Sequence, residues 1–166
     1  MIHCAAIFTD HMLLQRGKSI AVFGTGTAGE PVTVSVPQRH CTVSSAVRQD
    51  GTWRVTLPPM PAGTGCTLTV NEQEFSDVAF GEVWLAGGQS NMEFYLNWSA
   101  TAKRDVAKAA NDNIRLFDMK ARWRTDAVEW NASVLDSLNH LQYYKDTEWT
   151  VCSCLLYTSP SPRDTR

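Results

Sequence analysis

The chain has 166 residues and a formal charge of −2, with 43% apolar and 19% charged residues. That is the size of one domain or two small ones, and the six Trp, six Phe and four Tyr exclude wholesale disorder. Fifteen basic against seventeen acidic residues, with no basic run, argue against nucleic acid as the main partner. No apolar stretch approaches the ~18 residues of a membrane span, so no membrane insertion is expected.

The five cysteines, Cys4, Cys41, Cys66, Cys152 and Cys154, are scattered and lack CxxC spacing. They predict partly buried free thiols rather than a zinc site or a dense disulfide framework. Met1-Ile2-His3-Cys4 shows no basic stretch followed by an apolar one, so no secretory signal is read here, although a leader outside this reading frame fits equally well.

The first 77 residues read as an antiparallel β-sandwich of jelly-roll or Ig-like type. Short runs at Ser19 to Phe23, Val32 to Val36, Thr42 to Val47, Thr52 to Leu57 and Thr67 to Val70 carry the pattern. In Val32-Thr33-Val34-Ser35-Val36 the three valines share one face, the period of two of a half-buried strand. Turn chemistry separates the runs: Gly24 to Gly29, a tight Asp50-Gly51 hairpin signal before Trp53, and Pro58 to Gly63.

After Asp77 the character changes, and residues 78–153 read as the opening of an α/β unit. Val83-Trp84-Leu85-Ala86 does not alternate, which predicts a strand covered on both faces. It ends abruptly at Gly87-Gly88-Gln89-Ser90-Asn91-Met92. Thr101 to Ala110 predicts a helix, Asn111-Asp112-Asn113 its stop, and Ile114 to Met119 a second strand. Residues 120–150 give no clean period and read as a long loop region with a short helix near Ala132 to Leu141. Cys154 to Asp164 resembles, over all eleven codons, the translation of a transposon-end sequencing adapter. Residues 154–166 are therefore expected to be an adapter-derived tail outside the fold. Without them 13 basic residues face 16 acidic ones, a charge of −3.

Ser90 is the candidate nucleophile. It follows two glycines at the end of an expected buried strand, where open α/β sheets place their ligands. Tight strand-to-helix turns expose a serine and aim backbone N–H groups at a developing oxyanion. The G-x-S-x-G elbow is not met, because Met92 stands where its second glycine would be. On spacing alone a turn or cap role is the commoner reading.

The string Gly81-Glu82-Val83-Trp84-Leu85-Ala86-Gly87-Gly88-Gln89-Ser90-Asn91-Met92-Glu93 resembles the nucleophile block of the sialate O-acetylesterase family, SGNH/GDSL-like carbohydrate esterases. Four further segments resemble family elements in order. They are Ile7-Phe8-Thr9-Asp10-His11-Met12-Leu13-Leu14-Gln15-Arg16, Val22-Phe23-Gly24-Thr25, Gly51 to Pro59 around Trp53, and Trp149-Thr150-Val151-Cys152-Ser153. Each is weak alone; together, across residues 7 to 153, they are specific.

The resemblance implies the amino-terminal part of a serine esterase that removes O-acetyl groups from sialic acids or related acetylated sugars, with residues 78–153 as the truncated start of an α/β/α SGNH hydrolase domain. Ser90 would form the acetyl-enzyme, and its own N–H would be one oxyanion donor. The other donors, a Gly and an Asn, and the Asp-x-x-His that supplies the base match nothing in this chain. The chain alone is therefore expected to be catalytically incomplete, with an acetylated sugar as partner and no cofactor. A secreted, periplasmic or lysosomal location is what the family suggests.

Of the four histidines, His3, His11 and His40 fall in the β region, and His140 follows Asp136 by four residues rather than three. All four are read as structural or surface groups. Asp10, Glu82 and Asp118 show no metal-ligand or paired-carboxylate spacing. Trp53 and Trp84 are expected in the core and Trp98 beside the first helix. Asn97-Trp98-Ser99 and Asn131-Ala132-Ser133 are glycosylation triplets that matter only in a secretory host. The competing reading is a non-catalytic β-sandwich that binds carbohydrate or a partner, since fold alone does not fix function.

Overall fold

The computed structural model describes residues 1–87, 98–106, 108–117, 132, 135 and 147–152. Alternating β-branched and polar residues form its sheets, as period-two patterning requires. In chain order the elements are β1 (His3–Cys4), β2 (Leu13–Gln15), β3 (Ile20–Thr25), β4 (Pro31–Val36), β5 (Cys41–Ala46), β6 (Thr52–Leu57), β7 (Gly63–Val70) and β8 (Gln73–Gly81). The short helix α1 (Ala102–Val106), β9 (Asn111–Phe117) and β10 (Trp149–Cys152) follow.

Three sheets result: β1-β3-β6, β2-β8-β7-β4-β5 and the pair β10-β9. In the first, Ile20 lies opposite Leu57 and Val22 opposite Val55. In the second, Val32, Val34 and Val36 of β4 point the same way as Cys66, Leu68 and Val70 of β7, and all six are buried. Buried residues of both sheets meet in one apolar cluster that includes Trp53, Phe75, Val78 and Phe80. Fully burying one such Val, Leu or Phe side chain stabilises the fold by about 1.5–3 kcal/mol. Polar residues take the opposite face of β4 and β5, where Thr33 Oγ1 meets Ser44 Oγ at 2.9 Å and Thr42 Oγ1 donates to Ser35 Oγ at 3.1 Å. Cys4, Cys41, Cys66 and Cys152 are free thiols, buried or half-buried, and burial pushes the Cys4 thiol up to about 12.

The chain divides into two compact units, Met1–Val83 with Phe117–Thr150, and Trp84–Leu116 with Val151–Arg166. All eight strands of the two larger sheets lie in the first. In the second, α1 buries no residue. Arg104 Nε donates to Asp105 Oδ1 at 2.8 Å and Thr101 Oγ1 donates to the same carboxylate, together holding that carboxyl below its usual range.

Several expectations are corrected. The β region is not purely antiparallel: β2 runs parallel to β8, with Leu13, Leu14 and Gln15 opposite Ala79, Phe80 and Gly81. The long excursion through β3 to β7 brings the chain back in the direction it set out. Asp50-Gly51 does form a turn, with Gly51 at φ 79° and Asp50 Oδ1 accepting from Thr52 N at 2.9 Å. It joins β5 and β6, however, which belong to different sheets, so it is a crossing and not a hairpin. Glycine there meets a positive φ without the Cβ clash that other residues suffer.

Val83 to Ala86 is not a strand, and Trp84 and Leu85 are each 88% exposed. No α/β/α layering is present among the described residues. An apolar run becomes a strand only where a neighbour supplies a ladder of hydrogen bonds; the ladder here ends at Gly81. The expected helix over 101–110 is shortened to α1, none of whose residues is fully buried, and short helices with little packing are marginal. Asn111-Asp112-Asn113 opens β9 rather than merely stopping a helix. Ala132 and Leu135 have helical backbone, within the short helix expected at 132–141. The rest of that helix, and the tail from Cys154, lie outside the described residues.

Candidate active site

The segment Ile7 to Arg16 is built into the β region by both faces of its backbone. Phe8 is buried against Phe23, edge to face, with ring centroids 5.2 Å apart. Asp10 Oδ1 accepts from Ser76 N at 2.7 Å, and His11 N donates to the Ser76 carbonyl at 3.0 Å. His11 Nδ1 lies 2.8 Å from Asp77 Oδ2, and both residues have positive φ, 62° and 50°. Two facing left-handed turns thus align β2 on β8. An aspartate on a histidine nitrogen is also the orienting half of a catalytic base. Here both side chains belong to turns that start a strand pair, in keeping with His11 as a structural group.

Where β2 ends, Gln15 and Arg16 grip the first residues after β8. Arg16 N donates to the Gly81 carbonyl at 2.9 Å, and Arg16 Nε donates to Glu82 Oε1 at 2.7 Å. Gln15 Nε2 donates to Glu82 Oε2 at 3.0 Å, while Gln15 Oε1 accepts from Val83 N at 3.0 Å. The Gln15 bond first, then the Arg16 bond and charge, hold the Glu82 carboxyl below the ordinary glutamate range.

A third matched segment docks on the first. Trp149 is 9% exposed; its Nε1 donates to the Ile7 carbonyl at 2.8 Å, and its N donates to Thr9 Oγ1 at 2.9 Å. Its ring lies 5.3 Å from that of Phe117. In β3 and β6, Trp53 Nε1 donates to the Thr25 carbonyl at 3.1 Å. A Cβ at Gly24 would stand 2.0 Å from the His3 carbonyl oxygen and 2.8 Å from the Trp53 ring, so this close approach requires glycine.

Ser90, the candidate nucleophile, lies outside the described residues, as do Asp118, His140 and both glycosylation asparagines, Asn97 and Asn131. His3 and His40 are exposed. Trp53 is in the core as expected, whereas Trp84 is exposed and Trp98 is 55% exposed. No group of three metal-ligating side chains occurs among the described residues. No helix among them is long and apolar enough to cross a membrane. Sequence reasoning placed Glu82 among carboxylates without a role, and missed its partners Gln15 and Arg16 and the His11–Asp77 pair. A signal was available, because Gln15 and Arg16 close one matched segment while Gly81 and Glu82 open another.

The chain is similar to the sialate O-acetylesterase of Mus musculus, 34% identical over 129 residues that cover 69% of this chain and 24% of that protein. It is 30% identical to the Homo sapiens sialate O-acetylesterase over 163 residues, covering 85% of this chain and 31% of the relative. The crystal structure of a carbohydrate acetylesterase from Xanthomonas citri superposes with a TM-score of 0.78 and 26% identity, over 95% of this chain and 34% of the other. The chain thus spans about a quarter to a third of the length of these proteins. No protein-family model matches it.

Proposed function

Because the chain is a distant homologue of the sialate O-acetylesterases over most of its length, we propose that it is the amino-terminal part of a serine esterase removing O-acetyl groups from sialic acids or related acetylated sugars. In this reading residues 1–77 form a β-sandwich, residues 78–153 open an SGNH-type hydrolase domain, and residues 154–166 are a tail without a structural role. The observation that carries the reading is the meeting of matched segments: Ile7 to Arg16 holds Gly81, Glu82 and Val83 at one end and Trp149 at the other.

In the proposed reaction Ser90 Oγ attacks the acetyl carbonyl carbon, and its proton passes to a histidine base. The tetrahedral oxyanion is held by backbone N–H groups, that of Ser90 among them. On collapse the sugar oxygen departs with a proton from the same histidine. Water, activated by that base, then cleaves the acetyl-enzyme to acetate and free serine. No histidine here fits the family's Asp-x-x-His, so this chain alone has little turnover.

The test is to read the gene past codon 153 in an independent clone and to assay the longer chain on a chromogenic acetate and on O-acetylated sialic acid. The expected result is hydrolysis that falls by roughly 10³-fold or more in Ser90→Ala, with this shorter chain at background. Hydrolysis by the longer chain that survives Ser90→Ala would remove the serine from the mechanism. Sugar binding by residues 1–80 alone, with no hydrolysis in either chain, would favour a binding module.

A further inference from the structure

We draw no further inference here: the strongest candidate, the partly exposed His11–Asp77 pair at the corner where β2 meets β8, belongs to the turns already described, and the backbone bonds and buried Met12 that hold this corner do so whatever the charge of the pair.

Discussion

β3 and β6 on one side, and residues 83–85 on the other, are both apolar stretches, yet they end in opposite environments. Val22, Val55 and Leu57 each take every second position on one buried face, with Val22 opposite Val55 and Leu57 opposite Ile20, and are at most 1% exposed. Val83, Trp84 and Leu85 are consecutive, have no ladder partner and are 42%, 88% and 88% exposed. Apolar character therefore does not by itself make a strand or a core. A period of two buries one face of a strand with a single covering layer, whereas a continuous run needs cover on both faces and a paired edge on each side.

The sharpest way to break the buried half of this contrast is Trp53→Ala. Trp53 is 1% exposed, caps the Thr25 carbonyl and lies on Gly24. Removing the indole leaves a cavity, so a loss of about 3–5 kcal/mol is expected, measurable by urea unfolding. A loss under about 1 kcal/mol would mean the two sheets do not share one cooperative core. Gly24→Ala attacks the same place by overfilling. The added methyl group meets the His3 backbone, which cannot give way without lifting β1 off β3. The expected cost is about 1–3 kcal/mol, with faster amide exchange in β1 as its local signature.

These residues also show how much was legible in the sequence. The alternating runs located β3 to β7, because in a half-buried strand the side-chain pattern is the structure. β1, β2 and β8 were missed: β1 and β2 have two and three residues, too few for a period. β8 buries Val78, Ala79 and Phe80 in succession, with β2 on one side and β7 on the other. The resemblance located Gly24, Trp53, Gln15, Glu82 and Trp149 without saying what they do. In the structure Gly24, Trp53 and Trp149 are packing contacts that tie distant segments together. That tie, spanning 142 residues from Ile7 to Trp149, has no local pattern to reveal it.

Glu82 stands at the boundary of the two environments, and pH tests it. Its folded value is lowered from the ordinary glutamate one, so the ionised form is the one the Gln15 and Arg16 bonds favour. The contribution is therefore present at neutral pH and is lost as the pH falls below the ordinary glutamate value of ~4.3 and through the lowered one. The expected outcome is a Glu82 carboxyl resonance that titrates below the ordinary value, moving back up in Arg16→Gln. Titration at or above the ordinary value in the parent chain would show that Glu82 is not gripped as described.

The smallest expected effect tests the exposed half directly. Trp84→Ser and Leu85→Ser together remove two of the largest exposed apolar side chains of the described residues. In the core such truncations cost several kcal/mol each. Here most of each side chain already meets water, so little apolar surface changes environment and little transfer free energy is at stake. The urea midpoint of the β region is expected to shift by less than the equivalent of about 0.5 kcal/mol, and self-association is expected to fall, because adjacent exposed apolar groups favour contact between molecules. A loss of 2 kcal/mol or more, on the scale of about 2–5 kcal/mol for buried large-to-small changes, would place Trp84 and Leu85 in a core. Residues 83–86 would then be the covered strand that their unbroken apolar run first suggested.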